Sequence, residues 1–525
     1  MTALQWFIFF LIIQVIHYVG TWKLYEKAGR KSWEAAVPVY NAIILMKIIN
    51  RPTWWTALLF VPVVNVIMFI VVWVETLRSF GKNSTLDTLL GVLTFGFYIY
   101  YINYFENVTY KRDRSLVATT KAGDTVSSLL FAIVVATLVH TYVIQPFNIP
   151  TSSLEKSLLV GDFLFVSKFH YGARTPKTAV ALPMVHDSIP FARFSDSIPF
   201  LNGRSYLRTP QLPSFRLPGF QKIQRNEIVV FNWPNDTVYK FFDTSGRRAN
   251  KPLDKRSNYV KRCQGVAGDN LSIKNGDVYI NNKKLALPER AKVQYSYTVV
   301  TDGTEFDEKY IFQDLQITDG IYATGVNTYL FRAVTNENVA KLKQIPGVKS
   351  VTKLINTKPD PAVFPQTQPW NIDNYGPIYI PEAGKTVALN KESLPFYKRL
   401  ITVYEGNTLE EKSGQILVNG KPAINYTFKQ DYYWMMGDNR NCSEDSRYWG
   451  FVPYDHVVGK PVLIWFSLDP NLPWSQAIDK IRWDRLFCTV GGDGQPTSYF
   501  KYFLILLVFW FGFDNYRKRQ ARLKK

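Results

Sequence analysis

Long apolar runs constrain this chain more than any other feature, because all but one fall within its first 145 residues. They cover 3–20, 54–77, 86–103, 127–145 and 498–513. As helices, each is roughly long enough to cross ~30 Å of hydrocarbon, the last only barely. A shorter run, 35–49, reads as interfacial or re-entrant. Charges come after the first run rather than before it, at Lys23, Lys27, Arg30 and Lys31. That order predicts a retained span and not a cleaved leader. Residues 146–497 read as water-soluble, and 525 residues exceed what one core organises.

The formal net charge of +20 could suggest nucleic acid, but its placement points elsewhere. Lys111, Arg112, Arg114 and Lys121 precede the fourth run, and Arg517, Lys518, Arg519, Arg522, Lys524 and Lys525 end the chain. Basic clusters beside apolar spans mark cytoplasmic loops and contact anionic lipid. No nucleic-acid-reading motif accompanies them. One path satisfies the charge pattern: N-terminus outside, 21–53 and 104–126 inside, 146–497 outside, and a basic tail, 514–525, inside. Its parity depends on runs 86–103 and 498–513. Residues 1–126 are thus expected to be a membrane region of about three spans, with 127–145 anchoring the soluble part of the chain.

The exposed middle alternates as β-strand in NEIVVFNWP (226–234), NYVKRCQGV (258–266), NLSIKNGDVYINNKKL (270–285) and GQILVNGKPA (414–423). The Asn-Gly in KNGDVYINNKK predicts a hairpin. NENVAKLKQI (336–345), flanked by LFRAVT and VKSVTKLI, predicts a helix between strands inside a small α/β insertion over 301–413. Cys263, Cys442 and Cys488 form no CxxC and no metal spacing. No HExxH occurs, and His17 and His140 lie in apolar runs. No metal or cofactor is expected.

The run GDNRNCSEDSRYWGF (437–451) packs acids and arginines between apolar YYWMM and FVP. As a surface loop it would need no explanation. Buried, its charges must pair, and Asp445 and Arg447, with Asp438 and Arg440, can supply the pairing. A second segment, PFNIPTSSLEKSLLVGDFLFVSKFHYG (146–172), comes directly after the fourth apolar run. Pro146 and Pro150 favour an extended chain ahead of Thr151, Ser152 and Ser153. A serine nucleophile needs a base. There is no GxSxG elbow and no paired histidine. A buried lysine can serve if its pKa falls, and Lys261 in YVKRC is a candidate, although alternation leaves its facing undecided. A rival lies within the same segment: Ser153 and Lys156 fit S-x-x-K, but Lys385-Thr386 is followed by valine and no Ser-Asp-Asn occurs. The AGKT around Lys385 lacks the upstream glycine of a phosphate loop.

These segments together resemble the bacterial type I signal peptidases, the Ser–Lys protease family. IPTSSLEKSLLVGDFLFVSKFHYG resembles the family's nucleophile motif, NEIVVFNWP its strand motif, YVKRCQGVAGD its base motif and GDNRNCSEDSRYWGFVPYDHVVGK its last motif. All occur in family order after an apolar span. The resemblance covers roughly 128–285 and 414–468 and leaves the first hundred residues, the insertion and the last span unexplained. It departs at Leu154, where methionine is usual, and at Ser152, which replaces a common glycine. It departs again at Lys156 and Ser157, where Pro-Thr is frequent, and at Cys442.

The resemblance implies a multi-pass membrane protein carrying a mainly-β exported catalytic domain, with parts 146–300 and 414–497 around the insertion. It implies Ser153 as nucleophile, with Ser152 the alternative, and Lys261 as general base. Ser443 would orient that lysine, and Thr151 with the Ser153 N–H would form the oxyanion hole. Asp445, Arg447 and Asp438 would support the site, and Phe147, Ile149, Leu154, Tyr259 and Val260 would contact substrate. The implied activity is cleavage of signal peptides from exported preproteins at a bacterial cytoplasmic membrane, with preproteins, membrane lipid and the export translocon as partners. Two alternatives stay open: an S-x-x-K acyltransferase of penicillin-binding type, and a membrane-anchored β domain that binds without cutting.

Overall fold

The computed structural model describes residues 2–117, 120–193, 202–239, 243, 246–412 and 414–523; Lys524 and Lys525 of the expected tail lie outside them. Two compact units emerge. One joins Met1–Val143 with Arg174–Leu217 and Thr237–Arg256, and the other joins Ile144–Ala173, Pro218–Asp236 and Ser257–Lys525. Two stretches expected in the catalytic part, Arg174–Leu217 and Thr237–Arg256, thus belong to the N-terminal unit.

In the first unit, helix α1 (Ala3–Lys27) starts at a capping box in which Thr2 and Gln5 satisfy each other's backbone N–H groups. Helices α2 (Tyr40–Ile48), α3 (Trp55–Leu58), α4 (Val64–Ser79), α5 (Thr85–Leu93), α6 (Tyr98–Phe105) and α7 (Lys121–Leu138) come next along the chain. Among the described residues, Leu4–Lys27 and Lys121–Val143 are long and apolar enough to cross a membrane, with a third crossing only if α5 and α6 count as one span. The helix Phe500–Leu523 of the second unit is long, but its uncharged stretch is confined to 502–513, between Lys501 and Asp514.

The expected spans 54–77 and 86–103 are not continuous helices. Pro62 lacks an N–H and bars helical geometry at the residue before it, and Val63 takes a left-handed φ of 70°, so α3 and α4 part there. Arg51 Nε lies 3.0 Å from Glu75 Oε2, whereas a straight helix over 54–77 would hold its ends roughly 35 Å apart. Between α5 and α6 the axes bend by 116°. There Gly96 N–H bonds to Gly91 O and Phe95 N–H to Val92 O, a Schellman end with Gly96 at φ 83°. Lys82 and Glu106, at the outer ends of this pair, form an ion pair at 3.0 Å. Both segments double back.

The second unit is built on an eight-stranded antiparallel sheet, seven strands forming one path and the eighth, Cys488–Thr489, pairing beside it with Val457–Ser467. Its path runs through β1 (Ile144–Asn148), β2 (Asp162–Ser167), β3 (Ile228–Asn232), β4 (Asn258–Gly265), β5 (Tyr432–Met436), β6 (Val452–Pro453) and β7 (Val457–Ser467), in the order β1-β2-β7-β3-β4-β5-β6. Both faces are covered. Ile228 and Val230 face a cluster with Ile149, Leu154, Leu164 and Val166, while Val229 and Phe231 face one with Tyr171, Cys263, Met435 and Trp449. Pro146 sits in the edge strand β1, where its missing N–H costs no ladder bond.

The hairpin expected in 274–284 is present: Lys274 pairs with Asp277 across Asn275-Gly276, whose φ values of 52° and 82° suit the tight turn. The expected insertion helix is Asn336–Leu342, capped by Thr335 and flanked by Thr328–Thr335 and Val348–Lys353. These strands pair on either side of Gln294–Thr301, so this small sheet draws its central strand from before the expected boundary.

Candidate active site

The approach to Ser153 is fixed from both sides. The Ile149 N–H donates to Asp162 O and Ile149 O accepts from Gly161, extending the β1–β2 ladder by one residue, up to Pro150. A single 3₁₀ turn, Ser152–Leu154, comes next, and Leu154 is fully buried as its anchor. Ser153 is 7% exposed. Its carbonyl accepts the Asn439 N–H at 3.1 Å, and the Ser152 carbonyl accepts Asn439 Nδ2 at 3.3 Å.

Strand β4 supplies the second group. Val229 of β3 pairs with Lys261, while on the other side β5 pairs with β4 only from Arg262 onward. Beyond Met436 the chain turns away at Gly437, where a Cβ would lie 2.3 Å from Ser443 Oγ and 2.5 Å from Ser153 O. One edge of β4 around Lys261 is therefore left without a partner strand. Lys261 is 3% exposed, and its Nζ lies 2.6 Å from Ser153 Oγ. Burial pushes its pKa down to about 8; Asp445, Glu444 and Asp438 pull it up and Arg447 pushes it down. At pH 7 that leaves about a tenth of the amine uncharged, far more than an ordinary lysine has, and proton abstraction from a hydroxyl requires the uncharged form.

The run 437–451 is mostly buried, with Glu444 exposed, and its buried Asp438, Asp445 and Arg447 are paired. Arg447 grips Asp445 with two bonds of 2.8 Å, and Asp445 also accepts the Gly437 N–H at 3.0 Å. Burial would raise the Asp445 carboxyl, but Arg447 and the Gly437 N–H bring it below its ordinary value. Asp438 pairs with Arg262, at 2.8 and 2.6 Å, and accepts Ser157 Oγ at 2.6 Å. Arg440, expected to share in the carboxylate pairing, instead reaches Gln264 Oε1 and Met436 Sδ. Its backbone points back into the site, since Arg447 Nη2 donates to Arg440 O at 2.6 Å.

The other expected residues divide. Ser443 is 6% exposed and its hydroxyl makes no well-formed hydrogen bond, so the expected bond to Lys261 is absent. That hydroxyl is still near enough to Asp445 to help hold its carboxyl low. The Thr151 side chain makes no capping bond to the turn after it. Phe147 and Val260 are partly exposed over the cluster that buries Ile149 and Leu154. Tyr259 packs against Trp233 and Trp449, its ring 5.2 Å from Lys261 Nζ, and its hydroxyl donates to Glu444 Oε2 at 3.2 Å. Lys156, the rival base, donates to Gln316 O at 2.5 Å and makes no bond to Ser153. Burial lowers it to about 8, with Glu155 and Asp319 opposing. Cys442 is half-buried, and all three cysteines are free.

Sequence reasoning missed Arg262, Ser157, Asn439 and Gln294. Arg262 and Ser157 sit inside segments already singled out, and the cue was a buried Asp438 needing a cation. Gln294 carried no cue: its N–H donates to Asp438 O at 2.9 Å and its carbonyl accepts the Arg440 N–H at 3.0 Å, bracketing Asn439. Among the described residues no cluster of three His, Cys, Asp or Glu side chains could hold a metal ion.

Comparison with known proteins matches residues 122–331 and 424–466 to the family described as signal peptidase, peptidase S26. Residues 33–113 match a family of unknown function, DUF5684. The chain is 24% identical over 346 residues to Signal peptidase I of Buchnera aphidicola subsp. Schizaphis graminum, covering 65% of this chain and 74% of that protein. It is 24% identical over 379 residues to Signal peptidase I of Helicobacter pylori strain 26695, covering 70% and 92%. With Signal peptidase I of Rickettsia typhi, identity is 25% over 353 residues, covering 66% and 83%.

Proposed function

We propose, for a chain that belongs through residues 122–331 and 424–466 to the signal peptidase S26 family, that signal-peptide cleavage runs on Ser153 as nucleophile and Lys261 as general base. The activity is that of a serine endopeptidase acting on preproteins. The observation that carries the residue assignment is the buried 2.6 Å contact between Lys261 Nζ and Ser153 Oγ. A lysine kept this close and this dry is poised to be neutral.

The neutral amine takes the Ser153 proton as Oγ attacks the scissile carbonyl carbon. The oxyanion forms beside Thr151 and the Ser153 N–H, donors aimed where negative charge develops. The Lys261 ammonium then protonates the departing amine, leaving an acyl-enzyme on Ser153. A water, deprotonated by the same lysine, attacks the ester and frees Oγ. Ser443, beside the site and without a well-formed bond of its own, is available to hold Lys261 through the cycle. Asp445–Arg447 and Asp438–Arg262 keep the loop and β4 in register.

Substrate binds extended, adding a strand to the open edge of β4 before Arg262 and to the free edge of β1. Phe147 and Val260 border shallow space that suits small side chains of an A-x-A-like site. In the membrane, α1 and α7 cross and the two doubled-back segments do not. Removing two crossings from the expected path leaves its parity unchanged. The catalytic unit still lies on the extracytoplasmic side, the side of the N-terminus, and a crossing by 498–513 would return the tail to the cytoplasm. The export translocon is a partner by position.

Separate alanine variants test the assignment with a fluorogenic preprotein peptide. Ser153→Ala and Lys261→Ala abolish cleavage, while Lys156→Ala retains it. Cleavage by Lys261→Ala together with loss in Lys156→Ala would overturn it.

A further inference from the structure

The segment 33–113 is outside the peptidase match, and it holds a cluster that the cleavage reaction does not use. Glu75 is 4% exposed and three guanidiniums converge on it. Arg51 Nε lies 3.0 Å from Oε2, Arg114 Nη2 2.5 Å from the same oxygen, and Arg78 Nη1 3.5 Å from Oε1. One carboxylate cannot neutralise three arginines, so the cluster keeps a net positive charge that attracts an anion.

The arginines are not equivalent. Arg114 is spent on the protein, with further bonds to Ser79 Oγ at 3.0 Å and Ile49 O at 2.9 Å. Among the described residues the Arg51 guanidinium donates only through Nε and that of Arg78 only through Nη1. Their side chains are 23% and 35% exposed, so the remaining donors face outward. Trp55 holds the Arg51 guanidinium, 5.3 Å from its ring. Two outward guanidinium forks match a phosphate oxyanion.

Position selects what carries the phosphate. The cluster lies where the α3–α4 hairpin closes on itself, with Trp54 exposed beside it. The neighbouring α5 leaves Leu86, Leu89 and Leu93 exposed. An indole, outward arginines and apolar helix surface together are the arrangement of a membrane interface. We propose that Arg51 and Arg78, braced by Glu75 and Arg114, bind the phosphate of an anionic phospholipid headgroup, with the acyl chains along the exposed apolar helices.

The test uses the detergent-solubilised full chain, with thermal protection read during titration with phosphatidylglycerol, phosphatidylcholine or inorganic phosphate. Phosphatidylglycerol should protect at a concentration at least about tenfold lower than phosphatidylcholine. The double variant Arg51→Gln/Arg78→Gln should lose that preference while its lipid-free melting temperature and peptide cleavage persist. If it does not fold, Arg51→Lys/Arg78→Lys replaces it and should retain charge attraction with a weakened preference. Equal protection by both lipids, an undiminished preference in the variants, or equal protection by inorganic phosphate would each overturn the assignment.

Discussion

Glu444→Gln should shift the pH at which the enzyme switches on. Glu444 accepts the Tyr259 hydroxyl at 3.2 Å, and the Tyr259 ring lies 5.2 Å from Lys261 Nζ. With Nζ over the ring face, the carboxylate stands about 8 Å from the amine; at an effective dielectric of about 40 for a partly exposed pair, their attraction is about 1 kcal/mol. That corresponds to ~0.7 pH unit in the Lys261 pKa. The carboxylate favours the ammonium, so removing its charge lowers a pKa that already stands at about 8. Glutamine still accepts the Tyr259 hydroxyl, so the packing of Tyr259 on Trp233 and Trp449 is spared. The acid limb of kcat/KM against pH, measured with a fluorogenic preprotein peptide, should move about half a unit or more toward acid. Glu444→Lys should move it further in the same direction, and high salt should shrink both shifts. A limb that stays put or moves toward alkaline pH would refute Lys261 as the group whose deprotonation starts the reaction.

The same geometry makes other outcomes testable. Asp445→Ala leaves Arg447 buried without its partner and should lower stability by about 3–5 kcal/mol in a chemical melt, whereas substitutions at the exposed Lys398–Glu411 pair should change little. Gly437→Ala puts a methyl against Ser443 Oγ and the Ser153 carbonyl, so it should cut kcat severely while the folded state persists by circular dichroism. Lys261→Met should stabilise the protein below about pH 8, by up to about 3 kcal/mol. The folded pKa of Lys261 lies below its unfolded value, so the unfolded chain binds the extra proton and folding is penalised at lower pH. The gain should fade as pH rises toward 10.5, the ordinary lysine value.

Ser153 and Lys261 were legible because each sits in a segment whose residue order is itself distinctive. Their meeting was not, since alternation along β4 could have turned Lys261 either way; register with Val229 and the early end of β5 decide it. Asp438 was legible as a buried acid, but its partner comes from β4 and not from its own loop. Hydropathy counts apolar residues without their direction, and so 54–77 and 86–103 read as crossings. Pro62 and Gly96 were the local signals of reversal. The Arg51–Glu75 and Lys82–Glu106 contacts that seal the hairpins join residues no local window sees together. Ser443 was expected to bond Lys261, yet its hydroxyl, although buried beside Gly437, makes no well-formed bond.

Asn439 is held like a rung between two rails. The peptide groups flanking it are bonded to Gln294 at the head of the insertion sheet, and its own N–H is bonded to the carbonyl of Ser153. One residue therefore splices an accessory module to the turn that carries Ser153. A chain trimmed to remove 294–353 would lose more than decoration, because the loop that holds the serine's turn would lose the two backbone bonds that bracket Asn439. Conversely, a molecule wedged under that sheet could throw Ser153 out of line without touching it, which makes the splice a remote handle on the proposed nucleophile.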